Sequence, residues 1–153
     1  MTDYNVMPDY QTRRKIINDI CEKYSFVHHS FAGKSVCGRC IDVLHIGNTK
    51  NCVLYCAGFH GSEYLTVTAV LKFFEQCADA MENDSVVGRY KIRDFLREKG
   101  LTIVPCVNPD GVEIAIHGSD AALKYKALVE KASKENKAVS YTHLRAHETG
   151  RNL

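Results

Sequence analysis

Two short, uninterrupted apolar runs constrain the fold of this chain more than any other feature. The first is Cys52-Val-Leu-Tyr-Cys-Ala57, which ends at Gly58, and the second is Leu101-Thr-Ile-Val-Pro-Cys-Val107, which ends at the turn-forming sequence Asn108-Pro-Asp-Gly111. Apolar residues without alternation are typical of strands that are covered on both faces. The two runs therefore predict buried strands in the interior of a sheet.

Helical and strand-like patterns alternate along the rest of the chain. Residues 26–31 and 39–46 are predicted strands, and Gly47–Asn51 is predicted to be a hairpin turn that leads into the first apolar run. Apolar residues recur at helical spacing in four segments, which are residues 8–24, 62–81, 90–99 and 121–137. This alternation predicts the α/β class, as a three-layer α/β/α sandwich with a mixed central sheet.

Two of the predicted helices have apolar faces that we expect to be buried. In residues 62–81 this face consists of Leu65, Ala69, Leu71, Phe73, Phe74 and Cys77. In residues 121–137 it consists of Ala122, Tyr125, Leu128, Val129 and Ala132. Both helices are therefore expected to contribute side chains to the core.

Composition and charge exclude several classes of function. The 153 residues carry 20 basic and 18 acidic side chains, mixed along the sequence, so no basic footprint indicates a nucleic-acid partner or an anionic membrane. No window reaches the roughly 18 apolar residues of a membrane span. The N-terminal sequence also lacks the apolar segment of a secretory signal, and we therefore expect a cytoplasmic protein.

The seven cysteines are an odd number, and most of them lie within apolar strand or helix patterns. This distribution favours reduced, buried thiols over a disulfide framework. Cys37-Gly-Arg-Cys40 followed by Cys52 and Cys56 could also indicate a zinc ribbon, or the first pair a redox motif. Strand alternation already explains these positions, so neither reading is preferred.

His60 and Glu63 lie just past the first apolar run, at the end of a predicted strand where open α/β sheets place their ligand sites. Three residues apart on a first helical turn, the two side chains lie on one side of it and could both reach one zinc ion. Alternatively, His60 is a polar loop residue and Glu63 a carboxylate favoured by the helix dipole. The HxxE spacing by itself leaves both possibilities open.

Three motifs in order resemble the zinc carboxypeptidase family. Gly33-Lys-Ser-Val-Cys-Gly-Arg39 is similar to that family's early hairpin sequence GxSxxGR. His60-Gly-Ser-Glu63 follows it, and then comes Val104-Pro-Cys-Val-Asn-Pro-Asp-Gly-Val-Glu113. The resemblance implies that His60 and Glu63 are the first two ligands of a catalytic zinc ion. It also implies a later His as third ligand, a late Glu as general base, and Arg residues that hold the substrate.

Those later residues cannot be assigned within Val112–Leu153, so the catalytic groups remain unknown. The resemblance therefore implies that residues 1–137 are the N-terminal portion of a zinc carboxypeptidase-like domain, truncated before its later strands. The expected function is zinc-dependent hydrolysis of a peptide substrate, with the fragment inactive by itself. Two alternatives stay open, namely a zinc-dependent amino-acid deacylase of the same superfamily and a non-catalytic binding domain with this fold.

Residues 138–153 do not continue the preceding helical pattern and resemble translated sequencing-adapter read-through. We expect this segment to be a non-native or disordered tail. His143 and His147 are spaced so that one helix could present both to a metal ion. Their context does not match the third-ligand strand of the resembled family, and we expect no metal role for them.

Overall fold

A computed structural model of the chain describes residues 2–135. Its helices are α1 (Tyr10–Lys23), α2 (Tyr64–Glu82), α3 (Ile92–Glu98), α4 (Pro109–His117) and α5 (Lys126–Glu135). Its strands are β1 (His28–Lys34), β2 (Cys40–Ile46), β3 (Cys52–Cys56), β4 (Val86–Val87), β5 (Tyr90–Lys91) and β6 (Gly100–Val104). Short 3₁₀ segments at Gly61–Glu63 and Ser119–Tyr125 precede α2 and α5. The predicted α/β class is confirmed.

The main sheet is mixed, with the strand order β1-β2-β6-β3. Strands β1 and β2 form an antiparallel hairpin, and β2 pairs antiparallel with β6. Strand β6 then pairs in parallel with β3, so that Val53 lies opposite Leu101 and Tyr55 opposite Ile103. A parallel pair needs a crossover connection, and here α2 and α3 supply it. The predicted mixed central sheet is therefore confirmed.

The hydrophobic core lies on one face of this sheet. Leu44 and Ile46 of β2 and Leu101 and Ile103 of β6 point to this face and are at most 4% exposed. They pack with buried side chains of the helices, among them Ile17, Ile20, Leu71, Phe74, Leu96 and Val112. Burial of apolar surface of this kind contributes about 25 cal/mol per Å². On the opposite face the side chains of β2 and β6 are only half-buried.

Strand β3 is not the covered central strand that its apolar sequence predicts. Val53 is 37%, Leu54 58% and Tyr55 48% exposed, and within residues 2–135 no strand pairs with the outer edge of β3. The sequence pattern of β3 is that of an interior strand, but among the described residues its position is that of an edge strand.

The predicted hairpin turn at Gly47–Asn51 is wrong, because β6 lies between β2 and β3. The segment instead caps the end of α3. The backbone N–H of Asn48 donates to the carbonyl oxygen of Leu96 at 3.0 Å, and its side chain donates to that of Glu98 at 3.1 Å. The N–H of Gly100 donates to the carbonyl oxygen of Asn51 at 2.8 Å. The Gly-Asn sequence thus forms a turn that satisfies the last carbonyls of a helix.

Other predicted segments differ in their limits or their burial. The strand predicted at 26–31 is β1 at 28–34, and the helix predicted from residue 121 is divided at Leu123, whose φ of 56° breaks the helical geometry. Leu65 is 72%, Phe73 37% and Leu128 43% exposed, and Ala69 is exposed too, so these residues do not join the core as predicted. Leu71, Phe74 and Cys77 are buried as predicted. Of the residues in the face predicted for 121–137, Ala122 is buried, at 1% exposure.

Helix α4 was predicted only as a turn at Asn108–Gly111. Asn108 is its N-cap, and the side-chain oxygen of Asn108 accepts from the N–H of Gly111 at 2.9 Å. Pro109 occupies the first helical position, where its missing N–H costs nothing. An Asn-Pro pair fits a helix start as well as a turn, and the apolar residues that follow decide in favour of the helix.

Helix α1 begins at the N-cap Asp9. The carboxylate of Asp9 accepts from the N–H of Thr12 at 2.8 Å and lies 3.1 Å from Nε2 of His117, at the end of α4. Partial burial alone would raise the pKa of Asp9. The hydrogen bonds from Thr12 and the interactions with His117 outweigh it and hold the pKa of Asp9 below its ordinary value. The cap therefore stabilises the fold most in its ionised form.

We expect Asp9→Ala to lower the free energy of unfolding by about 1 kcal/mol at neutral pH, because it removes the cap. Since the folded pKa is lowered, the contribution of the carboxylate is complete above the unfolded pKa and is lost as pH falls through the folded pKa. Urea unfolding at a series of pH values measures this. Asp9→Asn, which keeps the cap acceptor, should lose less stability and show a flatter profile. Identical pH profiles for wild type and Asp9→Asn would contradict the assignment.

We expect the exposed apolar edge of β3 to make the 153-residue chain self-associate as its concentration rises, because such edges pair with other chains. Leu54→Lys should shift the population towards monomer, as measured by size-exclusion chromatography with light scattering. Leu123→Lys is the matched control, since Leu123 is 57% exposed and lies away from β3. A wild-type monomer with a sharp cooperative melt would contradict this expectation.

Candidate functional site

The ends of β3 and β6 bring two loops side by side. Beyond the last strand residues the N–H of Ala57 donates to the carbonyl oxygen of Val104 at 3.0 Å, and that of Val107 to Ala57 at 2.9 Å. The N–H of Asn108 then donates to the carbonyl oxygen of Gly58 at 2.9 Å. Because the two strands are parallel, their carboxyl ends meet at one edge of the sheet. Residues 57–63 and 107–111 therefore form one contiguous surface.

His60 and Glu63 face each other across the 3₁₀ turn that precedes α2. The Nδ1 of His60 hydrogen-bonds one oxygen of the Glu63 carboxylate, and the N–H of His60 donates to the other at 3.2 Å. The hydrogen bond with the His60 side chain is the main cause that holds the pKa of Glu63 below its ordinary value. Both side chains are 38% exposed. The pair is ordered by its own hydrogen bonds and open to solvent on one side.

Close contact with α4 fixes the turn that carries this pair. A Cβ atom at Gly61 would lie 2.3 Å from the carbonyl oxygen of Gly111, so only glycine lets the two backbones approach this closely. Gly61 is itself buried. The first turn of α4 thus packs directly against the loop that contains His60.

An imidazole nitrogen and a carboxylate oxygen on adjacent side chains are two donors of the kinds that zinc prefers. The predicted pair His60 and Glu63 is therefore brought together, with Nδ1 of the imidazole in direct contact with a carboxylate oxygen and each side chain 38% exposed. Within residues 2–135, no group of three or more His, Cys, Asp and Glu side chains could hold a metal ion. Among the described residues, the His60 and Glu63 donors are therefore not joined by a third donor of these kinds.

Asp110 joins the hairpin turn between β1 and β2 to α4. Its carboxylate accepts from Ser35 Oγ at 2.8 Å, from the N–H of Cys37 at 2.9 Å and from Arg39 at 2.7 Å. Arg39 also donates to the carbonyl oxygen of Ala121 at 2.8 Å. Asp110 is 4% exposed, so its charge is buried among three donors, one of which is the guanidinium group of Arg39. Two of the motifs noted in the sequence are therefore in direct contact.

Sequence reasoning assigned Asn108 and Asp110 only to the shape of a turn. The structure confirms that Asn108 shapes the start of α4, but it was not expected that Asp110 would anchor a hairpin 71 residues away in sequence, at Arg39. A signal was present, since an Asp in an apolar context needs a buried partner and the Ser35 to Arg39 turn offers a hydroxyl and a guanidinium group. The sequence did not show that these groups meet.

The cysteine pairs that were considered as a zinc ribbon form no metal-binding group within residues 2–135. All seven cysteines are free, and Cys52 and Cys56 are exposed rather than buried as expected. Cys77 and Cys106 are buried, and burial raises the pKa of both thiols to about 11.

No helix within residues 2–135 is both long and apolar enough to cross a membrane. His143 and His147, with the segment 138–153, lie outside the described residues.

Comparison with known sequences identifies the same family that the three motifs resemble. The sequence profile of the family described as zinc carboxypeptidase matches residues 14–147, a range that includes part of the segment 138–153. Gamma-D-glutamyl-L-diamino acid endopeptidase 1 from Lysinibacillus sphaericus is 29% identical over 130 residues, which cover 84% of this chain and 33% of that protein. The chain thus spans about a third of the length of this relative.

Solved structures show a similar fold. Bovine thrombin-activatable fibrinolysis inhibitor, in complex with tick carboxypeptidase inhibitor, matches with a TM-score of 0.62 and 20% identity, over 74% of this chain and 35% of that one. Carboxypeptidase A from Helicoverpa armigera matches with a TM-score of 0.60 and 21% identity, over 78% of this chain and 28% of that one. The arrangement of β1 to β6 is therefore that of part of a larger α/β fold.

We expect Asp110→Ala to lower the free energy of unfolding by about 3 kcal/mol, because it removes the hydrogen-bonded carboxylate of the buried Arg39, for which Glu113 at 3.8 Å compensates only in part. Arg39→Ala should cost a similar amount, and the double variant should cost less than the sum of the two. Urea unfolding of the three variants measures the coupling. Lys91→Ala, which breaks an exposed ion pair with Asp84, is the control and should change stability by less than about 1 kcal/mol. Additive effects at Arg39 and Asp110 would show that the pair is not coupled.

Proposed function

The chain belongs to the zinc carboxypeptidase family, and on that premise we propose that it carries part of the zinc site of a peptide-bond hydrolase. In this proposal His60 and Glu63 are two of the zinc ligands. The remaining ligand and the general base belong to sequence that cannot be assigned in this chain. The activity is thus proposed for the complete protein.

The observation that supports this proposal is the geometry of the His60–Glu63 pair. Nitrogen and oxygen donors face each other on one turn, at the carboxyl end of a parallel strand pair, with one side open to solvent. Three protein ligands and one exchangeable position are usual in catalytic zinc sites, whereas structural sites are closed by four protein ligands. A half-site that is open on one side is consistent with the catalytic type.

The chain's own residues would hold and orient the metal ligands. Glu63 accepts hydrogen bonds from the backbone and side chain of His60, which keeps both groups on the same side of the turn. Gly61 lets that turn lie against α4, where a Cβ atom would meet the carbonyl oxygen of Gly111. Zinc, when bound, would lower the pKa of a coordinated water molecule and polarise a carbonyl group.

The similarity to a γ-D-glutamyl-L-diamino acid endopeptidase suggests the class of substrate. That relative is named for a bond in which a D-glutamyl side-chain carboxyl is linked to a diamino acid. We propose a peptide of this kind as the first substrate to test. No specific observation in the described residues favours the amino-acid deacylase or the non-catalytic binding domain.

We expect the chain to bind zinc weakly, and His60→Ala and Glu63→Ala each to weaken binding by at least about tenfold. Even residues that only contact metal ligands change affinity by about 10- to 100-fold, and a direct ligand should do no less. Isothermal titration calorimetry, with histidine side-chain signals followed by NMR, measures this. His28→Ala is the control, because His28 is exposed and lies on β1. Zinc binding that His60→Ala leaves unchanged would contradict the proposed ligands.

Activity is proposed for a chain of the length of the relatives. Long-read sequencing of the source locus through codon 137 would show whether such a chain is encoded, and its expressed product can be assayed with three substrates. Cleavage of a γ-D-glutamyl peptide or of a C-terminal residue from an ordinary peptide would support a peptidase. Cleavage of an N-acyl amino acid alone would support the deacylase, and zinc binding without any hydrolysis would support the binding domain.

A further inference from the structure

We infer that Asn108 is a positioning residue for His60, which it orients through the carbonyl group of Phe59. This inference rests on the zinc site proposed above, because it concerns how one of the proposed ligands is held. It assigns to Asn108 a second role beside its cap of α4. Asn108 lies outside the HxxE turn itself and 48 residues beyond His60 in the sequence.

The contacts of Asn108 connect the two loops of the site. Its Nδ2 donates to the carbonyl oxygen of Phe59 at 3.2 Å, while its Oδ1 accepts from the N–H of Gly111 at 2.9 Å. Its backbone N–H donates to the carbonyl oxygen of Gly58 at 2.9 Å. Two consecutive carbonyl groups before His60 are therefore held by one residue.

The burial of Asn108 makes the loss of either of its side-chain hydrogen bonds costly. Asn108 is 5% exposed, so water cannot easily replace a lost partner. The carbonyl group of Phe59 belongs to the peptide unit that also contains the N–H of His60. Because that unit is planar, a hydrogen bond to its oxygen fixes the direction of the N–H, which donates to Glu63. The amide of Asn108 thereby influences both proposed ligands.

The first turn of α4, which begins at Asn108, is itself held in place by other segments. Asp110, two residues further along α4, is held by Ser35, Cys37 and Arg39 of the β1–β2 turn. A Cβ atom at Gly111 would lie 2.4 Å from Nδ2 of Asn108, so the side-chain amide packs closely against the backbone of α4. The orientation of the Asn108 amide is therefore set on one side by α4 and on the other by Phe59.

Asn108→Asp separates the two roles of this residue. An aspartate keeps the oxygen that caps α4, but at neutral pH it has no N–H group to donate to Phe59 and places a negative charge beside that carbonyl oxygen. In the zinc-free chain we expect the amide hydrogens of His60 and Glu63 to exchange about fivefold faster, as for the loss of one hydrogen bond. NMR-detected hydrogen exchange measures this. Zinc affinity should fall by about 10- to 100-fold.

Ile17→Val is the matched control, since Ile17 is fully buried in α1 and its truncation weakens the fold in general. It should leave the exchange of His60 and Glu63 and the zinc affinity close to wild type. Asn108→Ser, which can cap but is too short to reach Phe59, provides a second variant if the first fails to fold. Unchanged exchange at His60 and Glu63 in the folded variant overturns the inference. Failure of wild type to bind zinc would instead contradict the proposed function, and the exchange data would still decide the role of Asn108.

Discussion

The structure depends on the position of β6 between β2 and β3. This one strand is antiparallel to its first neighbour and parallel to its second. Because β3 and β6 are parallel, the chain must return from the end of β3 to the start of β6. Helices α2 and α3 make this connection on the face of the sheet that holds the core. The same pairing continues beyond the strands to Asn108 and Gly58. The core, the crossover connection and the contact between the two loops therefore all depend on the backbone hydrogen bonds that place β6 between its neighbours.

The sequence was sufficient for most of the longer elements, although not for α4, and it did not show which elements lie next to each other. Apolar runs and helical spacing predicted α1, α2, α3 and the main strands, because these signals are local. They could not show that β6 lies beside β2, since the Gly-Asn sequence at residues 47–51 is compatible with a hairpin and with the helix cap that it forms. Long-range pairing is decided by which surfaces bury best, and one strand's sequence does not contain that information. For β3 the pattern indicates an interior position that the described residues do not provide.

In the candidate site, too, the local arrangement could be predicted from the sequence and the long-range contacts could not. The spacing of His60 and Glu63 predicted that their side chains would lie together, and the structure places them in direct contact. The contacts that hold this turn come from distant segments, namely Asn108 at the start of α4 and Asp110 with Arg39 behind it. Each of these residues has an ordinary local explanation as a cap or a turn former. Only the parallel strand pair brings them to the site.

The hydrogen bonds between His60 and Glu63 explain how these two side chains are held together on one turn. His60 and Glu63 satisfy each other's hydrogen bonds and remain partly solvated, so the unliganded turn does not bury an unpaired charge. The buried charge in this region is instead that of Asp110, whose partners are complete within the described residues. The fully hydrogen-bonded carboxylate of Asp110 thus supports the turn, and the partly solvated side chains of His60 and Glu63 lie on it. The turn that carries the two proposed zinc ligands is therefore supported by buried, paired groups, while both of its side chains stay partly exposed.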